Sequence, residues 1–425
     1  MTPSGTGPSL ARRLTTRDAV YIGVGSMVGA GLFTVFAPAA AAAGSWLLLA
    51  LLVAAVIAFC NATSSAQLAA QYPTSGGTYV YGRERLGPWW GFVAGWGFVI
   101  GKTASCAAMA LAVAVYLVPG AWQRPLAAAV VVAIAAVNYR GITRTAALTR
   151  WLVTVVVALL VVVLAVSAVS RWGEPTVDGG APLPGAGGPG GVLQGAALVF
   201  FAFAGYARIA TLGEEVVEPA RTIPRAVVLS FAVVLPLYAA TAALLLRVLG
   251  PGATASTQAP VRQLAVVAAG PDGWLPWAAS AAAVVAALGA LLALVAGVGR
   301  TVLAMARQGD LPAPLAAVHE RYAVPHVAEV AVAAVVCVLV LTTDLRGAIG
   351  FSSFGVLLYY AVANASALTQ DAAHRRYPRV VAAVGLAGCL TLALGVPAGS
   401  LVAGTGVLAV GVVGRLVALR VRARP

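Results

Sequence analysis

Apolar runs follow one another along nearly the whole chain, divided by short polar connections. Twelve approach or exceed the roughly 20 residues that a helix needs to cross the hydrocarbon core of a bilayer. They are 18–39, 45–70, 88–118, 125–138, 146–170, 192–212, 225–249, 274–306, 324–343, 347–369, 380–395 and 398–418. The fourth and eleventh are the shortest. Runs of this length predict an all-α integral membrane protein of about twelve transmembrane helices, with the lipid bilayer as its solvent.

Composition agrees. Of the 425 residues, 61% are hydrophobic and 9% charged, against roughly a quarter charged in a soluble domain. The formal charge of +14 would suit nucleic acid if it formed one surface. It is instead gathered in the short connections, so no nucleic-acid partner is expected. With the N-terminus inside, Arg124, Arg171, Arg247, Arg262 and Arg346 fall in outer segments. The other arginines fall in inner segments, apart from Arg208, which like Lys102 lies within a run. That is the bias of the positive-inside rule. It predicts a multi-pass protein of the cytoplasmic membrane with both termini cytoplasmic, a disordered stretch at 1–16 and a basic tail at 419–425. Residues 1–16 lack the apolar core of a signal peptide. The Gly/Pro-rich stretch 171–191 reads as a flexible outer loop, and 250–273 as a second outer connection with a short helix around 259–269. Cys60, Cys106, Cys337 and Cys389 lie inside runs, and His319, His326 and His374 in or beside connections. Neither set has ligand spacing, so no metal, disulfide framework or cofactor is expected.

Gly23, Gly25, Gly29 and Gly31 interrupt the first run. Each costs about 1 kcal/mol against Ala in a helix interior. Unwound backbone at membrane depth is tolerated only where it lines a cavity or is buried in protein. Close helix packing through small residues would place glycines there too. The sixth run favours unwinding, because FFAFAGYARIATLGEE sets Gly205 mid-span with Arg208 just beyond. Interrupted helices at corresponding places in two halves point to a transporter of inverted repeats. Five spans separate the two, and an odd number reverses the second half. A broken helix leaves N–H groups free on one side and C=O groups on the other. The pair suits a zwitterion such as an amino acid. A channel would want a polar stripe or charged ring, and an intramembrane enzyme titratable groups at depth; spans of Ala, Val and Leu favour neither.

Four stretches resemble, in order, signature segments of the amino acid–polyamine–organocation (APC) superfamily: 25–33 (GSMVGAGLF), 72–82 (YPTSGGTYVYG), 200–225 (FFAFAGYARIATLGEEVVEPARTIPR) and 299–312 (GRTVLAMARQGDLP). The resemblance runs from about Arg17 to the last span. It implies a leucine-transporter-type fold, with inverted repeats of five helices at 17–170 and 192–369 and two peripheral helices at 370–418. It also implies alternating access. Carried over by position, the N–H groups of Gly29, Ala30 and Gly31 would receive a substrate carboxylate. The carbonyls of Met27, Phe201 and Ala204, beside Gly205, would receive the amino group. Phe201, Phe203 and Tyr206 become candidates for an aromatic gate, with ordinary packing as the other reading of Phe203.

Two charges lie within runs. Lys102, the sole lysine, shares an i, i+4, i+7, i+11 face of the third run with Phe98, Ser105 and Met109. An ionisable residue at mid-bilayer costs roughly 2.5–3.5 kcal/mol on insertion scales and is a functional candidate by default. It reads either as an amine that carries a coupling proton or as an anchor on the carbonyls of a broken helix. Relatives that do without sodium often carry a lysine in the fifth run, where Val157 stands here. The eighth run has no Ser or Thr between Ala281 and Gly299, which disfavours sodium coupling. Arg208 reads as a gate residue facing Glu214, Glu215 or Asp18, or as a snorkelling charge. Two cations and no acid deep in a span favour a neutral or acidic amino acid. A cationic amino acid or polyamine carrier is the alternative.

Overall fold

The computed structural model describes residues 12–73, 76–141 and 146–422. Residues 1–11 of the stretch expected to be disordered lie outside the described residues. So do Thr74 and Ser75 of the second signature segment, Arg144, and 423–425 of the basic tail. Among the described residues the chain is helical and has no strand, with one isolated bridge between Leu14 and Val216.

The helices follow the apolar runs. The first expected span is three pieces: α1 (Thr16–Val28), α2 (Ala30–Thr34) and α3 (Phe36–Ala43). Next come α4 (Leu47–Gln71), a short α5 (Gly77–Leu86) that the run pattern did not anticipate, α6 (Pro88–Leu117), α7 (Gln123–Tyr139) and α8 (Ala146–Ser170). The sixth span starts earlier than expected, as α9 (Gly188–Phe203), and passes through a tight turn at Ala204–Tyr206 into α10 (Ala207–Ala210). The remainder comprises α11 (Pro219–Leu244), α12 (Gly250–Ser256), α13 (Pro260–Ala269), α14 (Trp274–Arg307), α15 (His326–Thr342), α16 (Leu345–Leu368), α17 (Arg379–Gly395) and α18 (Ala398–Arg422). The expected short helix near 259–269 is α13, and α12 precedes it. Among the described residues, nine helical stretches are long and apolar enough to cross a bilayer, and α13, α15 and α17 are shorter apolar helices.

The stretch 171–187 docks on the segment joining α11 to α12. Val177 N–H donates to Val248 O at 2.9 Å, and the Asp178 carboxylate accepts from Gly252 N at 2.7 Å.

Burial separates inner helices from outer ones. Most residues in the apolar stretches of α6 and α16 are buried, whereas few in those of α7 and α18 are. Leucines and valines cover the outer faces, among them Leu52, Val132, Leu394 and Val402. Only lipid can cover so much exposed apolar surface. Eight of the nine tryptophans are exposed, near helix ends, as at Trp46, Trp122, Trp172 and Trp277. That distribution suits a ring whose body is apolar and whose N–H needs a polar partner. This is a multi-pass membrane protein.

Capping and ion pairs fix the ends. Thr15 and Asp18 form a reciprocal capping box at α1, and the Asp18 carboxylate pairs with Arg150 of α8 at 3.2 Å. Beyond α14, Asp310 accepts from Tyr79 OH at 2.8 Å and faces Arg83 at 3.3 Å and Arg415 of α18 at 3.2 Å. Arg415 also donates to Pro88 O at 2.9 Å and lies 4.7 Å from the ring centres of both Trp89 and Phe92. Burial and the neighbouring carboxylate push the Tyr79 phenol above its ordinary value, so it stays a donor. One aspartate thus ties α5, the start of α6 and the last helix together.

The two breaks meet. Gly29 (φ −40°, ψ −155°) belongs to neither α1 nor α2. Gly205 lies so close to the Ser26–Met27 backbone that a Cβ there would overlap the Ser26 carbonyl, and a Cβ at Gly31 would stand 2.6 Å from Ala202 Cα. Tyr238 OH bridges the crossing, 2.6 Å from Met27 O and 3.0 Å from Ala202 O.

Two outcomes follow for detergent-solubilised protein in thermal unfolding. Gly205→Ala forces backbone apart and is expected to cost about 1–3 kcal/mol or more, while Gly414→Ala, with no atom within 4 Å of the added methyl, leaves the midpoint unchanged or higher. Asp310→Ala strands Arg415, which is 6% exposed, and is expected to cost about 3–5 kcal/mol. Adding Arg415→Ala to it costs less than the sum of the single changes; additive losses would show that the pair is not coupled.

Candidate functional site

A cavity of about 580 Å³ runs into the bundle where the two breaks meet. Its deep end is lined by Gly31, Lys102, Ser105, Met109 and Phe201. Its mouth carries Arg13, Arg208, Glu215 and Arg300, with α14 forming one wall through Ala290, Leu294 and Ala304. Two turns beyond Met109 on α6, Tyr116 OH donates to Phe33 O at 2.8 Å and the two rings meet edge to face. A side chamber of about 330 Å³ extends from the same mouth towards α8, past Val153 and Val156.

Most of the expected residues converge here. The face of α6 that carries Phe98, Lys102, Ser105 and Met109 lines the cavity with all four side chains. Met27, Gly31, Phe201, Ala204, Gly205 and Arg208 line it too. Gly29 does not, because its open side faces the Ala290 methyl. Ala30 opens α2 directly beside it.

Two of the three aromatic gate candidates face elsewhere. Phe203 is fully buried, stacked on Phe231 with centres 5.8 Å apart and against Tyr238 at 4.9 Å. Tyr206 is fully buried, 4.9 Å from Tyr360 and 5.8 Å from Phe231. Tyr206 does not line the cavity: its ring packs against Tyr360 and Phe231 instead. Phe201 alone of the three lines the cavity.

The carbonyls expected to hold an amino group are already engaged. Lys102 lies about 20 Å along α6 from its start, at 1.5 Å per residue. Its Nζ donates to Ala204 O at 3.1 Å, and Tyr360 OH stands 3.5 Å from the same oxygen. Met27 O faces Tyr238 OH, and Phe201 O accepts from Ala204 N. Lys102 is 4% exposed, and among the described residues no carboxylate lies within ion-pair distance of it. One turn further along, Ser105 is held by Ser352 at 2.6 Å.

Arg208 selects Glu215 from the expected partners, at 3.7 Å, and donates to Thr211 at 3.2 Å. Asp18 is taken by Arg150 instead. The segment ahead of α1 crosses to the same place, with Arg13 N and Leu14 N both donating to Glu215 O at 3.0 Å.

Sequence reasoning missed three features. Arg13 and Arg300 read as ordinary inner-loop charges, yet they line the cavity mouth. Asp310 gave no sign of its partners, which lie more than a hundred residues away along the chain. Glu329, near the start of the ninth run, is 3% exposed on α15 against Gly299 of α14, and its Oε2 has no hydrogen-bond partner. It stands in the first turn of α15, so the expectation of no acid deep in a span is untouched, but its burial had no sign in the sequence.

Comparison with known proteins adds the family. Residues 14–418 match the amino acid permease family. An "uncharacterized transporter" of Mycobacterium tuberculosis (strain CDC 1551 / Oshkosh) is 55% identical over 404 residues, covering 95% of this chain and 90% of that protein. The branched-chain amino acid permease BcaP of Bacillus subtilis is 28% identical over 75% of this chain and 72% of its own. Cationic amino acid transporter 4 of Homo sapiens is 29% identical over 83% of this chain and 58% of its own. These relatives are transporters rather than enzymes. With the family match spanning both broken helices and the cavity between them, the chain belongs to the amino acid permeases of the APC superfamily.

Proposed function

We propose that the protein is a secondary transporter that moves a neutral or acidic amino acid across the cytoplasmic membrane by alternating access. In this reading twelve helices span the bilayer: inverted repeats at 17–170 and 192–369, then two peripheral helices in 370–418. Both termini are cytoplasmic, so the open mouth at Arg13, Glu215 and Arg300 faces the cytoplasm and the Phe33–Tyr116 contact closes the outer side.

The observation that carries the reading is a cavity lined by both helix breaks, in a chain of the permease family. Gly31, which lines the cavity, and the adjoining N–H groups of Gly29 and Ala30 at the break receive the carboxylate once the cargo draws them in, since free amides at a helix break favour negative charge. The amino group goes to the carbonyl side, at Met27, Phe201 and Ala204 around Gly205, where it meets groups already bonded inside the protein. Loading therefore exchanges hydrogen bonds rather than filling vacant ones. Phe201 closes over the cargo.

Lys102 couples the cycle. Its ammonium bridges α6 to the turn after α9 through Ala204 O, so gain or loss of its proton makes or breaks that link. Arg208, paired with Glu215 beside the mouth, acts in gating. Coupling is to protons, or transport is by exchange, and sodium is not required. A cationic cargo is the second reading, favoured by the relative named a cationic amino acid transporter. The cations lining the cavity weigh against it.

Purified protein in proteoliposomes tests this with a panel of radiolabelled amino acids, with and without an inward proton gradient and with sodium replaced by choline. Expected is accumulation of a neutral or acidic amino acid that the gradient drives and sodium leaves unchanged. In Lys102→Ala the gradient no longer alters the rate for any amino acid still carried. A sodium requirement, or arginine or lysine as best cargo, would overturn the reading of the site.

A further inference from the structure

Lys102 presents a charge without a counter-ion. An ammonium has three N–H donors and no acceptor. One donor meets Ala204 O at 3.1 Å, and Lys102 lines the cavity while remaining 4% exposed. A buried charge is tolerated when paired and costly when not. A partial negative charge on one carbonyl oxygen does not balance a full positive one, and among the described residues no Asp or Glu stands within ion-pair distance of Nζ. While Lys102 holds its proton, a carboxylate in the cavity it lines would supply that balance.

The remaining cavity charges point the same way. Glu215 is taken by Arg208 at 3.7 Å; Arg13 also lines the mouth, with Arg300, which the buried Glu329 carboxylate partly offsets, and Lys102 lies at the deep end. At the opposite end of the bundle, a cavity of about 270 Å³ is flanked by Arg124 and Arg346, and its one acid, Asp344, is engaged in capping α16. An excess of cations along a concave surface draws anions in and repels cations.

We propose that Lys102 sets cargo selectivity by pairing with a second carboxylate, so that the transported amino acid is an acidic one. This rests on the transporter reading above and narrows its substrate class. The free donors of the Lys102 ammonium take the side-chain carboxylate, while the Ser105 hydroxyl one turn further along the same face is engaged with Gly101 O and Ser352. The α-carboxylate and amino group remain with the two helix breaks. Cargo and lysine together carry no net charge at that point, which removes the cost of a lone buried ion. Lys102 then does two things: it holds the break of the sixth span when the cavity is empty, and it neutralises the cargo when it is full.

The test compares pairs that differ only in the second carboxylate. Proteoliposomes bearing wild type, Lys102→Met and Lys102→Arg are offered aspartate against asparagine and glutamate against glutamine, with leucine, lysine and succinate alongside. Wild type is expected to carry the acidic member of each pair in preference, and to prefer aspartate to succinate because the amino group is also read. In Lys102→Met the acidic-to-neutral ratio falls on the order of 10–100-fold, the scale of losing a charge-assisted hydrogen bond, while Lys102→Arg keeps the acidic preference. A purely structural lysine would lower transport of both members together and leave the ratio alone.

The wild-type ratio decides the matter even if a variant fails to fold. Preference for asparagine, leucine or lysine overturns the acidic assignment and leaves amino acid transport standing. Preference for succinate shows that two carboxylates without an amine suffice, which also overturns it. No movement of any amino acid, as uptake or as exchange from preloaded vesicles, removes the transporter reading beneath it.

Discussion

Water is absent from the hydrocarbon core, so every backbone N–H and C=O there needs a partner within the protein. Both broken helices answer to that constraint. The Ala204–Tyr206 turn frees Ala204 O, and Lys102 and Tyr360 close on it. The gap between α1 and α2 frees Met27 O, and Tyr238 closes on that. Gly205 and Gly31 let the chains approach until backbone meets backbone. The breaks persist because their loose ends are capped by side chains from α6, α11 and α16, the neighbours that wall the crossing.

That solution shapes the chemistry. Carbonyls at an open helix end would form a cation receptor, yet those in this cavity already carry donors. One of the donors is a full positive charge. A cavity built from neutral backbone has thereby acquired a strong positive pole at its deep end, while Arg208 and Glu215 largely cancel at the mouth. At the deep end of the cavity the charge is that of one lysine.

The elements that the sequence revealed are those whose signal is local. Long apolar runs gave the helices, and glycines with a mid-span Gly205 gave the two breaks. A simple i, i+4, i+7, i+11 face placed Phe98, Lys102, Ser105 and Met109 together, as the cavity has them. Tyr206 was a candidate through the resemblance alone, and at five residues from Phe201 it does not share that residue's helical face. The buried cluster around Asp310 was not legible. Its members come from α5, the end of α14 and α18, and arginines in short connections look alike until the fold selects which of them is enclosed. Glu329 escaped notice because a charge near a helix start ordinarily reaches water, and here Gly299 lets α14 cover it.

The strap ahead of α1 has a mechanical consequence. Arg13 N and Leu14 N bond to Glu215 O, and Val217 N bonds to Leu14 O at 2.9 Å. The chain entering the first break is thereby sewn to the chain leaving the second. Halves separated by about two hundred residues share a seam at the cavity rim, and pulling on either one drags the other.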